Sequence, residues 1–265
     1  MNPEIKGFLI DLDGVLYVGD RPVDGAQDSV KFLQENGYAF RIVSNTTRKS
    51  RRTIMQRLYD MGFSIPEEFI FTPALAANIW LKNNNKQSYY LLTKGDVDRD
   101  FSSGRDGLED SNVDAVIVGD AGERITYASM NTAFRYLIDG AELIALEKDR
   151  YWMAADGLSL SAGPFVSALE FATGKTATVM GKPSKSFFEL ALQDMGLQPG
   201  EMAMIGDDIL TDIGGAFHAG MRGILVRTGK FREDTAQQAP IQPTITVDSI
   251  ANLPGILMTR QKRDS

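Results

Sequence analysis

The chain has 265 residues, with 28 Lys+Arg against 35 Asp+Glu, giving a formal net charge of −7. That length suits one large domain or a core with an insertion, and 43% hydrophobic with 24% charged residues suits a soluble globular protein. A sequence pI near 4.9 argues against nucleic-acid or anionic-membrane partners, while zero cysteines and one histidine exclude disulfides, thiolate nucleophiles and Cys-rich or His-pair zinc sites.

Any catalysis must therefore run on carboxylates, hydroxyls and lysines, with or without an oxygen-bound metal. The start Met1-Asn2-Pro3-Glu4 lacks basic residues, and the apolar run Phe8-Leu9-Ile10 is too short for a signal core. No apolar stretch reaches the ~18 residues that a membrane span needs. A cytoplasmic location is expected.

In chain order, apolar runs and amphipathic stretches alternate. A buried strand is predicted at 8–10, a helix at 26–36, a strand at 40–43 and helices at 50–61 and 74–81. Residues 82–86, with three consecutive asparagines, read as a linker. A second series follows: strands at 89–92, 113–118 and 143–146, with helices at 128–138 and 163–173. After Val179 the first pattern resumes, with a helix at 184–195, strands at 203–205, 223–226 and 244–247, and a frayed polar tail at 260–265. Gly37, Gly62 and Gly196 stand where left-handed caps end helices. Strands alternating with helices imply an α/β protein. Its core is a Rossmann-like parallel sheet formed by 1–82 and 180–265, and a smaller α/β domain is inserted at 83–179.

In an open parallel sheet, ligands bind beyond the carboxyl ends of the strands. The first strand runs into Asp11-Leu12-Asp13-Gly14. Side chains alternate along extended chain, so Asp11 and Asp13 point the same way, and Gly14 lets the chain turn away with φ > 0. Two carboxylates so placed repel unless a cation binds or one is protonated; the alternative is an Asx-type turn that closes the strand. The second strand ends in Ser44-Asn45-Thr46 before a helix. A hydroxyl, an amide and free main-chain N–H groups there form an anion site, although the same residues are ordinary N-caps. A third end, Gly206-Asp207-Asp208 with Thr211-Asp212, holds more acids than a cap needs. Gly181-Lys182-Pro183-Ser184 closes the insertion and opens a helix, with Pro183 in the favoured first turn.

Together these four pieces resemble the motifs of the haloacid dehalogenase (HAD) phosphohydrolase superfamily, and the resemblance covers essentially the whole chain. The insertion is similar to the type IIA cap of the nitrophenylphosphatase-like branch. Asp156-Gly157-Leu158, Gly163-Pro164-Phe165 and Ala168-Leu169-Glu170, followed by Gly181-Lys182-Pro183, resemble the phospholysine/phosphohistidine/inorganic pyrophosphate phosphatase subgroup. The resemblance implies hydrolysis of a small phosphorylated molecule. It makes Asp11 the nucleophile that forms an aspartyl-phosphate, and Asp13 the acid for the leaving oxygen and then the base for water. It has Ser44, Lys182 and the main-chain N–H groups after Asp11, at Leu12, bind the phosphate oxygens, with Asn45 and Thr46 in support.

Five acids beside Lys182 can accept a phosphate dianion only with a divalent cation, and all-oxygen ligands suit Mg2+. Asp11, Asp207 and the Asp13 carbonyl are the expected ligands. Asp208 and Asp212 are expected to hold metal-bound water or orient Lys182. Phosphotransfer to an acceptor other than water is an alternative, as is a non-catalytic HAD-fold binding module, but Asp11, Asp13, Lys182 and Asp207 are all present. Similar proteins imply a homodimer through the cap, which no single residue here encodes.

Weaker features have plain readings. His218 reads as a surface or packing residue, and Gly174-Lys175-Thr176 fails as a P-loop because Leu169 holds the place of the earlier glycine. Arg48, Lys49, Arg51 and Arg52 read as a solvated helix face, and Trp80, Tyr89 and Tyr90 as packing. Asp156-Gly157 and Ala162-Gly163-Pro164, with Tyr151 and Leu160 nearby, are the cap loops expected to approach the leaving group.

Overall fold

The computed structural model describes residues 4–101, 105–106, 112–154 and 156–264, so 1–3 and 265 of the terminal segments read above lie outside the described residues. Contacts divide the chain into two compact units. One comprises Met1–Ser44, Ile54–Phe71 and Ala191–Ser265; the other comprises Asn45–Thr53 and Thr72–Leu190.

The first unit is built on a six-stranded sheet. Its strands lie in the order Ile245–Val247, Arg222–Val226, Met202–Gly206, Gly7–Asp11, Ala39–Val43 and Ile70–Phe71, and all neighbours are parallel. Continuous apolar runs suit a sheet covered on both faces, and all five residues of Gly7–Asp11 are buried. Phe8 and Ile10 pack with Phe40, Ile42, Ile205 and the helical residues Val30, Leu33 and Leu58. Each such side chain contributes about 1.5–3 kcal/mol over its exposed state. The chain lays its second and third strands on one side of Gly7–Asp11 and its fourth on the other. This makes a topological switch point between Gly7–Asp11 and Met202–Gly206.

The second unit carries a five-stranded parallel sheet in the order Thr178–Val179, Glu142–Ala145, Ala115–Val118, Ser88–Leu92 and Arg105–Asp106. Its switch point lies between Ser88–Leu92 and Ala115–Val118. The helices Tyr127–Ile138 and Gly163–Thr173 supply Ala133, Leu137, Val166 and Leu169 to the cluster that covers Val116 and Val118. No strand of either sheet crosses the boundaries read at 82/83 and 179/180. Contacts nonetheless group residues 45–53, the helix Pro73–Asn83 and residues 180–190 with the inserted sheet.

Helices Ala26–Glu35, Arg51–Asp60 and Lys185–Met195 form where periodicity places them, and Gly37, Gly62 and Gly196 all adopt positive φ. Three local expectations fail. Residues 82–86 are no linker: the helix runs to Asn83, and Asn84 closes it through N–H and side-chain bonds to the Trp80 carbonyl at 3.0 and 2.8 Å. Pro183 stands outside its helix, because Ser184 is the N-cap, accepting the Phe187 N–H at 3.3 Å; the Lys182–Pro183 bond is cis. A helix, Leu253–Asp264, occupies the stretch read as a frayed tail. Periodicity also gave no sign of two hairpins, Tyr17–Val18 with Arg21–Pro22 and Tyr151–Ala154 with Gly157–Leu160. Among the described residues no helix is long and apolar enough to cross a membrane.

Candidate active site

The switch point of the first sheet gathers carboxylates. Asp11 ends one central strand and Asp207 follows the other, while Asp212 lies in the wide helical turn Ile209–Gly214. One oxygen from each lies within 4.8 Å of the others, and all three residues are buried, with Asp207 and Asp212 only 2% and 1% exposed. Like charges removed from water repel strongly unless a cation or protons intervene. An all-oxygen set of this kind fits a hard divalent cation such as Mg2+. Asp212 thus stands in the set itself, nearer than the supporting place read for it. Asp208 does what an N-cap does: its Oδ1 accepts the N–H groups of Leu210 and Thr211 at 2.9 and 3.0 Å.

Glycines make this approach feasible. Gly14, at φ +86°, and Gly229, at φ +63°, both press on the Asp207 carboxylate, and a Cβ at either would overlap Asp207 Oδ2. The Lys230 N–H donates to that same oxygen at 2.6 Å, and the Thr228 hydroxyl donates to the Gly14 carbonyl. Gly206 leaves room for Asp212 in the same way. Asp207 is therefore clamped between two turns that come from distant parts of the chain.

Asp13 differs from Asp11. It is exposed and forms an isolated bridge with Tyr17. The Tyr17 hydroxyl titrates far above its ordinary value, first because it is buried and then because Asp13 and Asp11 add negative charge; Arg57, 4.7 Å over the ring, opposes this. Two carboxylates two residues apart thus have unlike surroundings, one desolvated and one wet.

In the second unit, Asn45 and Lys182 are joined reciprocally. The Asn45 amide donates to the Lys182 carbonyl at 2.8 Å, and its Oδ1 accepts the Lys182 N–H at 2.7 Å. Lys182 is itself buried, as is Ser44 of the first unit. Two N–H groups at the helix N-terminus past Thr46 are taken by carboxylates of the chain itself. Asp96 Oδ1 accepts from Ser50 N–H at 3.0 Å, and both oxygens of Asp100 accept from Arg51 N–H at 3.1 and 2.9 Å. Acidic side chains thus serve the first turn of that helix, so these two N–H groups are not the free ones that an anion would use.

The chain is similar to known proteins. Family models described as haloacid dehalogenase-like hydrolase and HAD-hydrolase-like match residues 8–103 and 179–253. The bovine haloacid dehalogenase-like hydrolase domain-containing protein 2 is 43% identical over 245 residues, 92% of this chain and 93% of that protein. The chain belongs to the haloacid dehalogenase-like hydrolases. Human phospholysine phosphohistidine inorganic pyrophosphate phosphatase is 38% identical over 260 residues, covering 96% and 94% of the two chains. The solved p-nitrophenyl phosphatase of Archaeoglobus fulgidus superposes with a TM-score of 0.85 at 26% identity, over 96% and 100%.

Within this HAD-like hydrolase several other residues have structural duties. Gly163 is required by close approach of the chain's own Lys148 and Asp149 carbonyls, whereas Gly157 faces open space. Arg48 pairs with Asp120 at 2.7 Å and lies 4.8 Å under Trp152, so it is no solvated helix face. Tyr89 packs on Phe101 and Tyr90 on Tyr136, while His218 is exposed. Glu147 went unremarked in the sequence. It is buried and accepts from Ser161 Oγ and Ala162 N–H at 2.6 and 2.7 Å, and its burial pushes the carboxyl up. The clamp Thr228-Gly229-Lys230 was also missed; its one signal is a glycine just past an apolar strand end.

Proposed function

We propose that this HAD-like hydrolase is a Mg2+-dependent phosphatase that cleaves a small phosphorylated molecule through an aspartyl-phosphate on Asp11. The observation that carries this reading is the meeting of three buried carboxylates at the sheet's switch point, with oxygen donors alone. The names of its relatives point the same way. Asp11, Asp207, Asp212 and the Asp13 carbonyl are the groups that would hold Mg2+, and its charge offsets that of the phosphate.

An Asp11 carboxylate oxygen attacks phosphorus as the bond to the leaving oxygen breaks, and that oxygen takes the Asp13 proton. Water then attacks the same phosphorus and gives a proton to Asp13. Phosphate departs and Asp11 is again a carboxylate. The wet surroundings of Asp13 suit a group that must exchange protons, while the buried strand end fixes the direction of Asp11. Ser44, Lys182, Asn45, Thr46 and the Leu12 N–H bind phosphate oxygens in this scheme, a part that rests on their motif resemblance.

The decisive experiment uses nitrophenyl phosphate, whose leaving group needs little protonation. Asp13→Asn lacks the base for the second step, so phosphoenzyme should accumulate. Mass spectrometry of acid-quenched samples should then find phosphate on the peptide containing Asp11. Product formed with no phosphorylated protein at any quench time overturns the covalent scheme in favour of direct attack by water.

A further inference from the structure

The inserted sheet has a switch point of its own, between Ser88–Leu92 and Ala115–Val118. Such a crevice is where an open α/β sheet ordinarily takes a ligand. Here the chain's own residues 47–50 fill it. Gly95, at φ +83°, lies against the Arg48 carbonyl so closely that a Cβ would overlap it, and a Cβ on Gly119 would stand 3.1 Å from that of Thr47. The Asp120 N–H donates to Thr47 Oγ1 at 3.0 Å, and the Asp96 N–H donates to the Arg48 carbonyl at 3.1 Å.

Asp96 is the hub of this grip. Its carboxylate accepts from Ser50 N–H at 3.0 Å, Ser50 Oγ at 2.8 Å and Thr53 Oγ1 at 2.6 Å. Asp100 seizes the next N–H, that of Arg51. The segment so held leads directly from Ser44-Asn45-Thr46, and Asn45 at its start is tied to Lys182. Charged acceptors make the stronger hydrogen bonds, and a turn anchored on both sides holds its main chain in one conformation.

We infer that Asp96 is a positioning residue for phosphate binding: from the inserted unit it fixes residues 45–50, and through them the Ser44-Asn45-Thr46 turn. The inference rests on the proposed reading of that turn as a phosphate ligand. It assigns the insertion a duty in phosphate binding. Its occupant is the enzyme's own phosphate-binding segment, so no separate ligand of the inserted sheet is required.

The test measures KM for nitrophenyl phosphate, kcat, and inhibition by inorganic phosphate, all with Mg2+, on the full chain. Asp96→Asn should raise KM and the phosphate inhibition constant about tenfold, since misplaced binding groups lose affinity steeply, while kcat changes less than about twofold. Asp114→Asn is the matched control. Asp114 also accepts three bonds in this unit, from Gln87 N–H, Ser88 N–H and Ser88 Oγ at 2.8, 2.9 and 3.0 Å, but beside the start of the strand Ser88–Leu92. It should lower Tm without moving the phosphate constant. Equal weakening in both variants means general loosening and overturns the inference. An unchanged constant in Asp96→Asn overturns it too. In that case Ser44→Ala tells the two failures apart: a weakened constant leaves the phosphate reading of the turn standing, and an unchanged one removes that reading as well. If Asp96→Asn does not fold, Thr53→Val removes the 2.6 Å donor to Asp96, together with the hydroxyl that accepts from Ser50 Oγ at 3.3 Å, and a phosphate constant equal to the parent's is again the refuting result.

Discussion

At the switch point of the first sheet the strand ends deliver Asp11 and Asp207, and Asp212 joins them from the following turn. At that of the second sheet, Gly95 and Gly119 admit residues 47–48, and the Asp96 and Asp120 carboxylates find donors in Ser50 and Arg48. Both crevices arise from the same parallel topology. What differs is the balance of groups inside them. The second is settled internally, each carboxylate meeting N–H, hydroxyl or guanidinium partners. The first brings three buried carboxylates within 4.8 Å of one another, an oxygen set that fits a divalent cation. Topology supplies the place; the clustering of buried carboxylates distinguishes the first crevice from the second.

The comparison breaks most visibly at Asp11. Asp11→Asn should lower turnover by about a thousandfold or more. In chelator, however, its Tm should equal or exceed that of the parent, because one repelling carboxylate is gone. A clearly lower Tm in chelator would mean that the cluster stabilises the fold as the Asp96 network does.

A subtler contrast lies between two glycines of the same unit. Gly229→Ala forces a methyl group onto Asp207 Oδ2 and should raise the Mg2+ needed for half-maximal activity about tenfold. Gly37 has similar φ but faces open space. Gly37→Ala should cost only the left-handed strain of ~1 kcal/mol and leave the Mg2+ titration unchanged. Identical titrations for the two variants would deny the clamp its role.

The smallest expected effect concerns acid. Asp114 titrates below its ordinary value because the Gln87 and Ser88 N–H groups, the Ser88 hydroxyl and Lys86 favour its charged form against the penalty of burial. A depressed carboxyl stabilises the fold above its ordinary pKa and loses that contribution as pH falls through the folded value. Tm measured from about pH 5 down to about pH 3 should therefore fall less steeply in Asp114→Asn. Parallel curves would remove Asp114 from the acid response.

Much of this was legible in the sequence, for identifiable reasons. Phe8-Leu9-Ile10 and Ala203-Met204-Ile205 read as buried strands because a doubly covered sheet needs continuous apolar runs. Asp11 and Asp207 stood out because they follow those runs at once. The two-residue strands Ile70–Phe71 and Thr178–Val179 have no period to detect. The division of duties between Asp208 and Asp212 was hidden, since both fit a helix start and only the folded turn decides which one caps it. The helix N-terminus after Thr46 looked free because Asp96 and Asp100 lie more than forty residues away in the chain. Contacts of that separation leave no local mark.

The pairing of Gly7–Asp11 also sets a timetable for synthesis. Gly7 finds Ala39 on one edge soon after both leave the ribosome, but its other neighbour is Met202. At about 5–20 residues per second, some 190 residues of delay amounts to roughly 10–40 s. Asp207 and Asp212 arrive with that late strand, so the nascent chain presents Asp11 without these two partners of its carboxylate cluster until the core is nearly complete. For the same interval an apolar strand keeps one unpaired edge. The half-made polypeptide, rather than the finished enzyme, is the form most exposed to aggregation.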